Sequence, residues 1–149
     1  MGSPGAAPKQ MAITGGCQCG RTRFEAPQAP TGGNYCHCSM CRRATGSVVA
    51  AIGWVPLAGL KWSREPKVFR SSPAATRGFC PDCGSPLYLH YAGEAQVGLM
   101  LGAFDDPAPH PPASHYGVEA RLPWVDIGQG LPARRTDPDL EARAAGPSG

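Results

Sequence analysis

The segment Cys36-His37-Cys38-Ser39-Met40-Cys41 constrains this chain more than any other stretch. A lone buried cysteine behaves as a small hydrophobe, but three thiols within six residues would crowd one another and oxidise. Sharing a soft cation removes the conflict. Thiolates bind zinc at about 2.3 Å; four ligands close a structural site, whereas three leave a position for water or substrate. A C-x-C pair in a tight turn aims two sulfurs at one point, and the overlapping C-x-x-C supplies the third.

Four further cysteines occur as two pairs, Cys17/Cys19 and Cys80/Cys83. Neither pair closes a tetrahedral site alone, and together they make four thiolates. Glycines beside Cys17 and Cys19, and the Cys80-Pro81-Asp82-Cys83-Gly84 sequence, supply the sharp backbone of a metal knuckle. A partition into four and three accounts for all seven cysteines, whereas completing the triplet from one pair would strand three. Two zinc ions per chain are therefore expected. The triplet is read as open, with two alternatives: a site closed by a histidine, or no metal. His37 lies between two ligands, so its ring is expected to point away from their metal; His90, His110 and His115 lie elsewhere.

At 149 residues the chain suits one domain with a modest core. Gly 20 and Pro 17 make a quarter of it, which favours turns and short strands over long helices. No apolar run approaches the roughly 20 residues of a membrane span. Residues 1–10 lack an apolar signal core and read as a disordered leader; residues 11–133 form the domain and 134–149 a flexible tail. Without a secretion signal, seven cysteines suit metal ligation in the cytoplasm better than disulfides.

Strand–turn–strand is expected over 11–25, a buried strand over 45–55 and two short strands over 57–69. Further strands are expected over 87–91 and 96–103, with edge strands at 115–119 and 124–127. Residues 105–114 read as a Pro-rich connection holding one helical turn, begun by Asp105-Asp106. Trp62, Phe69 and Phe79 read as core. Residues 1–77 carry ten Lys/Arg against Glu25 and Glu65, a net +8, and residues 78–149 a net −5. An anion-binding surface should therefore lie near the triplet, with Arg42, Arg43 and Arg77 as candidates for docking substrate carboxylates. The run Lys61, Arg64, Lys67, Arg70 reads as a solvated face, with a polycarboxylate or weak nucleic-acid site as the sharper alternative.

Gly15-Gly16-Cys17-Gln18-Cys19-Gly20, Cys36-His37-Cys38-Ser39-Met40-Cys41-Arg42, Thr45-Gly46-Ser47 and Phe79-Cys80-Pro81-Asp82-Cys83-Gly84-Ser85 together resemble the glutathione-dependent formaldehyde-activating enzyme family. Leu101 to Pro107 and Pro123 to Ile127 also fit its downstream pattern, so the resemblance runs from about Ile13 to Pro132. It implies a mainly β fold, a small antiparallel β-tent of short sheets pinned by zinc. It implies a structural zinc on Cys17, Cys19, Cys80 and Cys83 and a catalytic zinc on Cys36, Cys38 and Cys41. The implied activity joins glutathione and formaldehyde into S-hydroxymethylglutathione, formally a carbon–sulfur lyase in reverse. The partners are then a small thiol and an aldehyde, without membrane or nucleic acid. The alternative is a non-catalytic zinc module for protein or nucleic-acid partners, because the same fold also serves binding roles.

Overall fold

Phe24 anchors the first sheet. It lies on Arg23–Ala26 (β2), whose buried and exposed side chains alternate, and it pairs antiparallel with Ile13–Gly16 (β1). Lys61–Trp62 (β5) adds a third strand and brings Trp62 edge-to-face onto Phe24, ring centroids 5.5 Å apart. A computed structural model describes residues 12–144 of the chain, so the expected leader lies outside the described residues.

The second sheet has eight strands: Gly32–Cys36 (β3), Ala50–Pro56 (β4), Lys67–Ser72 (β6), Ala75–Phe79 (β7), Pro86–Tyr91 (β8), Gln96–Met100 (β9), Ser114–Tyr116 (β10) and Ala133–Arg134 (β11). Their spatial order is β11-β10-β3-β4-β9-β8-β7-β6. The chain is mainly β, as expected, and most pairs are antiparallel. The exception is β10, which runs parallel to both β3 and β11. The Pro-rich connection after β9 crosses to the far side of β3 before β10 begins, so the chain re-enters the sheet in the direction of β3. Ala113 N donates to Gly33 O and His37 N to Tyr116 O, both at 3.0 Å, which fixes that register.

Alternation along the strands gives this sheet two apolar faces. Val55, Val97 and Leu99 pack with Ile13, Phe24, Ala26, Leu101 and Phe104 against the small sheet. Ile52, Leu89, Met100, Ala50 and Ala75 form a second cluster that contains Cys36 and Cys41. Each fully buried aliphatic side chain contributes about 1.5–3 kcal/mol by leaving water. The triplet therefore sits in a core of its own, across the sheet from the small one. Close packing between strands also uses glycine: a Cβ on Gly78 would overlap the Tyr88 ring that covers it.

Several local expectations are corrected. The strand expected from Thr45 begins only at Ala50, because Ser39–Thr45 forms a helix (α1). Cys38 caps it, its Sγ accepting from Cys41 N at 3.3 Å, and Gly46 ends it at φ 68° with its N–H on Arg42 O at 2.8 Å. Residues 124–127 form no strand. Val125 N bonds Leu122 O at 3.1 Å in a turn, Trp124 stands 67% exposed, and β11 takes the sheet edge instead. The helical turn expected after Asp105 occurs earlier, as a 3₁₀ turn at Leu101–Ala103, while Asp105 N bonds Thr14 O at 2.9 Å. Phe69 is 58% exposed because β6 is an edge strand. Beyond β11, Pro138–Ala144 forms a short helix (α2).

Candidate metal centres

Cys17 and Cys19 follow β1, and Cys80 and Cys83 follow β7, so hairpins of different sheets deliver the two pairs. Their four sulfurs lie within 4.8 Å of one another, with Cys17 and Cys19 3.5 Å apart and Cys19 and Cys80 3.8 Å apart. Sulfurs at the corners of a zinc tetrahedron stand about 3.8 Å apart, given bonds of about 2.3 Å. The donor set and its spacing fit zinc.

Hydrogen bonds prepare these sulfurs for negative charge. Cys80 Sγ accepts from Thr22 Oγ1 at 3.4 Å, Asp82 N at 3.4 Å and Cys83 N at 3.5 Å. Burial opposes ionisation of Cys80, but these bonds outweigh it and pull the thiol down to about 5. Ser85 Oγ lies 3.2 Å from Cys83 Sγ and accepts from Gln18 N at 3.0 Å, tying one knuckle to the other. Outside them, Asp82 pairs with Arg64 at 2.8 Å and Arg21 at 3.5 Å. Thr22 was not singled out in the sequence, because nothing local marks a residue that serves a sulfur 58 positions away, and Arg64, read there as part of a solvated run, instead reaches towards Cys80.

The triplet forms where β3 hands over to α1. Cys36 and Cys41 are buried, Cys38 is half-buried, and all three sulfurs lie within 4.8 Å, Cys36 and Cys38 being 3.5 Å apart. Side-chain bonds from Cys36 and Cys41 hold the Cys38 thiol well below the usual range, and the same sharing pushes Cys36 well above it. Among the described residues, no histidine, aspartate or glutamate joins the triplet. The His37 ring turns away: its Nε2 meets His115 Nδ1 at 2.8 Å, and both rings are buried. His90 Nε2 bonds Glu94 O at 2.9 Å, and His110 packs on Phe104.

The three candidate arginines separate. Arg42 Nη1 donates to His37 O at 2.6 Å and Ala120 O at 2.8 Å, tying α1 to the turn that follows β10. Arg43 is exposed on α1. Arg77 is buried beneath the triplet, with Nη2 3.5 Å from Cys41 Sγ. The run Lys61–Arg70 does not form one stripe, because β5 and β6 belong to different sheets and Arg64 is engaged by Asp82. Two residues the sequence did not single out flank the triplet. Tyr91 and Tyr116 pack against its cluster, and burial together with the Cys36 and Cys41 sulfurs pushes the Tyr91 hydroxyl up.

Two cavities meet near the end of α1, and none of the triplet cysteines lines either. One of about 700 Å³ is lined by Gln18, Arg23, Thr45, Ser85, Met100 and Asp105, among others, and so reaches from the four-cysteine knuckles to the end of α1. A smaller one of about 160 Å³ shares Thr45, Pro86 and Met100 with it and has Arg77 in its wall.

Comparison with known proteins follows the same lines. The sequence profile of the family described as "Glutathione-dependent formaldehyde-activating enzyme" matches residues 12–119. A Halomonas elongata protein described as "Putative glutathione-dependent formaldehyde-activating enzyme" is 27% identical over 128 residues, covering 78% of this chain and 82% of the relative. A crystal structure of a Rhodobacter sphaeroides protein superposes with a TM-score of 0.51 at 20% identity, covering 81% of this chain and 99% of the other. That likeness concerns the fold.

Proposed function

Because the chain belongs to the glutathione-dependent formaldehyde-activating enzyme family, we propose that it adds a small thiol, glutathione in the family case, to a small aldehyde at the Cys36–Cys38–Cys41 cluster. The observation that carries this reading is a cluster of three soft donors to which no fourth protein ligand is added among the described residues. Cys36, Cys38 and Cys41 would hold a zinc ion as three thiolates, and that ion would supply a soft Lewis acid for activating a thiol. Cys17, Cys19, Cys80 and Cys83 would hold a second, structural ion.

The chemistry is an addition. The thiol sulfur forms a bond to the carbonyl carbon, the carbonyl π bond opens onto oxygen, and the proton lost from the thiol ends on that oxygen. The product is an S-hydroxyalkyl thioether, and the reverse reaction is that of a carbon–sulfur lyase. The chain's own contribution is placement. Ala50, Ile52, Leu89 and Met100 keep water from the buried side of the cluster, and Arg77 sets a positive charge beside Cys41. The exposed Arg43 is free to meet a substrate carboxylate, whereas Arg42 is held by two carbonyls.

All seven thiols are free of disulfides, which suits a reducing compartment, and we place the reaction in the cytoplasm. No helix among the described residues is long and apolar enough to cross a membrane. A non-catalytic zinc module is the weaker reading, because a histidine-closed triplet was its expected mark and His37 turns to His115 instead. The test follows the appearance of the hemithioacetal by NMR line-shape or exchange measurements with zinc-loaded protein, glutathione and formaldehyde. The reading expects addition well above the protein-free rate and saturable in glutathione. A rate equal to the protein-free one would overturn it.

A further inference from the structure

The sheet face that carries the triplet continues past it towards β10 and β11. Another cavity, of about 350 Å³, opens there, lined among others by Asn34, Trp54, Tyr91, Tyr116, Arg134 and Asp137. No triplet cysteine lines it, but the strand register fixes how near it lies. Asn34 precedes Cys36 by two residues on β3, so both side chains leave the same face. Tyr116 is the ladder partner of Cys36, and Arg134 is the partner of Tyr116. Two strand spacings of about 4.8 Å therefore separate Arg134 from Cys36, roughly 10 Å across the sheet. Tyr91 and Tyr116 also pack against the apolar cluster that holds Cys36 and Cys41.

The lining is specific in its chemistry. Trp54 Nε1 donates to Asn34 Oδ1 at 2.6 Å. An indole N–H only donates, so this bond fixes the orientation of the Asn34 amide and leaves its NH₂ as the donor. Trp54 and Tyr91 stack at 17° with centroids 6.0 Å apart and form a flat wall. Arg134 pairs with Asp137, and its guanidinium lies over the Tyr116 ring, 5.8 Å from the centroid. An exposed ion pair contributes little to stability, so a ligand can share it at small cost. Glu94 adds a second acid to the lining, and two acids against one base disfavour a plain anion. A ligand end that carries an ammonium beside a carboxylate meets both signs, the carboxylate on Arg134 and the ammonium on Asp137.

Resting on the thiol-to-aldehyde reading above, we propose that this cavity holds the far end of the thiol substrate: a zwitterionic α-amino acid head group bound by Arg134 and Asp137, with Asn34 donating to the amide carbonyl between head and thiol. The head is thereby assigned to Arg134 rather than to Arg42, Arg43 or Arg77. The linkage follows from the chemistry. A residue joined through its α-carboxyl has spent that group in the peptide bond and has no zwitterionic head, whereas a γ-linked glutamate keeps both charges. On a cysteine nitrogen, a γ-linked glutamate sets its α-carbon seven bonds from the sulfur, about 8 Å when extended. That matches the span from the triplet to Arg134. The cavity therefore recognises the γ-glutamyl end of a thiol such as glutathione and makes no demand on its glycine.

The test uses S-methyl thioethers, which have no thiol to add to an aldehyde, so it reads the cavity independently of turnover. The Trp54 indole N–H resonance of 15N-labelled full-length protein, assigned by its loss in Trp54→Phe, is followed during titration. The other two tryptophans, Trp62 and Trp124, serve as internal references. S-Methylglutathione and γ-glutamyl-S-methylcysteine should give saturable shifts confined to Trp54, with similar midpoints. S-Methylcysteinylglycine, which lacks the head group, should bind about 10-fold more weakly or worse. Arg134→Gln changes an exposed side chain and should weaken the first two ligands by a similar factor while leaving the third unchanged, because variant and ligand then lack the same contact. Equal binding of all three ligands, an equal effect of Arg134→Gln on all three, or a Trp54 shift that stays linear and is shared by Trp62 and Trp124 would overturn the proposal. If the parent adds no thiol to formaldehyde, the functional reading fails, and the titration still decides whether Arg134 and Asp137 hold the head group.

Discussion

His37 Nε2 and His115 Nδ1 lie 2.8 Å apart inside the protein, and His115 Nε2 lies 2.7 Å from Gly128 O. A carbonyl only accepts, so His115 must donate from Nε2, and its Nδ1 then accepts from His37 Nε2–H. One tautomer of each ring follows. The pair joins the residue between two triplet cysteines to the parallel strand β10 and to the loop beyond it. Tyr35 stacks on His115 at 5.4 Å between centroids and closes the remaining side.

Replacing His115 by alanine leaves His37 Nε2 and Gly128 O without partners in a buried setting. Each stranded group costs about 1–3 kcal/mol, so the variant should unfold at clearly lower denaturant than the parent. His115→Asn, which restores at most one of the two bonds, should fall between them. Equal denaturation midpoints for His115→Ala and the parent would show that the pair carries no stability.

The two thiol clusters should respond differently to loss of one ligand. Cys19 and Cys80 are 61 positions apart and join hairpins of separate sheets, whereas the triplet spans six residues and closes almost no loop. Binding of structural zinc is worth on the order of 10 kcal/mol of folding free energy, comparable with the whole stability of a small domain. Cys83→Ser should therefore lose one ion and unfold or melt far below the parent. Cys38→Ser should lose the other ion and remain folded. Metal analysis paired with thermal melts reads both, and a Cys83→Ser protein that loses zinc yet melts like the parent would reverse the assignment.

Acid should expose a third contribution. Arg23 grips Asp105, with Nη1 to Oδ1 at 2.9 Å, and Thr14 Oγ1 donates to the same carboxylate at 2.7 Å. The Arg23 bond first, then that of Thr14, holds the carboxyl down at about 2, below its ordinary 3.8. A depressed carboxylate stabilises the fold above its unfolded value and stops doing so as pH falls towards the folded one. The group is half exposed, so the effect is discounted to about 1 kcal/mol or less. Asp105→Asn should melt below the parent at pH 6, and the gap should narrow between pH 4 and pH 2. A gap independent of pH would mean that packing, not charge, makes the contribution.

Cysteine spacing alone separated seven thiols into four and three, because the geometry of C-x-C and C-x-x-C is set by a few covalent bonds and needs no partner. Turn residues and β-branched runs placed most strands for the same local reason. Phe24 and Val55 show how far that reached: both read as strand residues, yet only strand order sets them in the core shared by the two sheets. The helix α1 escaped notice because its cap is a thiol, Cys38, and its length is barely two turns. The parallel strand β10, the His37–His115 pair and the placing of Arg77 beneath Cys41 had no local mark. Arg77 and Cys41 stand 36 positions apart, and their meeting depends on the register of every strand from β3 to β7. Covalent spacing determined which residues could share a metal. Pairing across the eight-stranded sheet, in which a one-residue slip turns every side chain to the other face, decided what surrounds them.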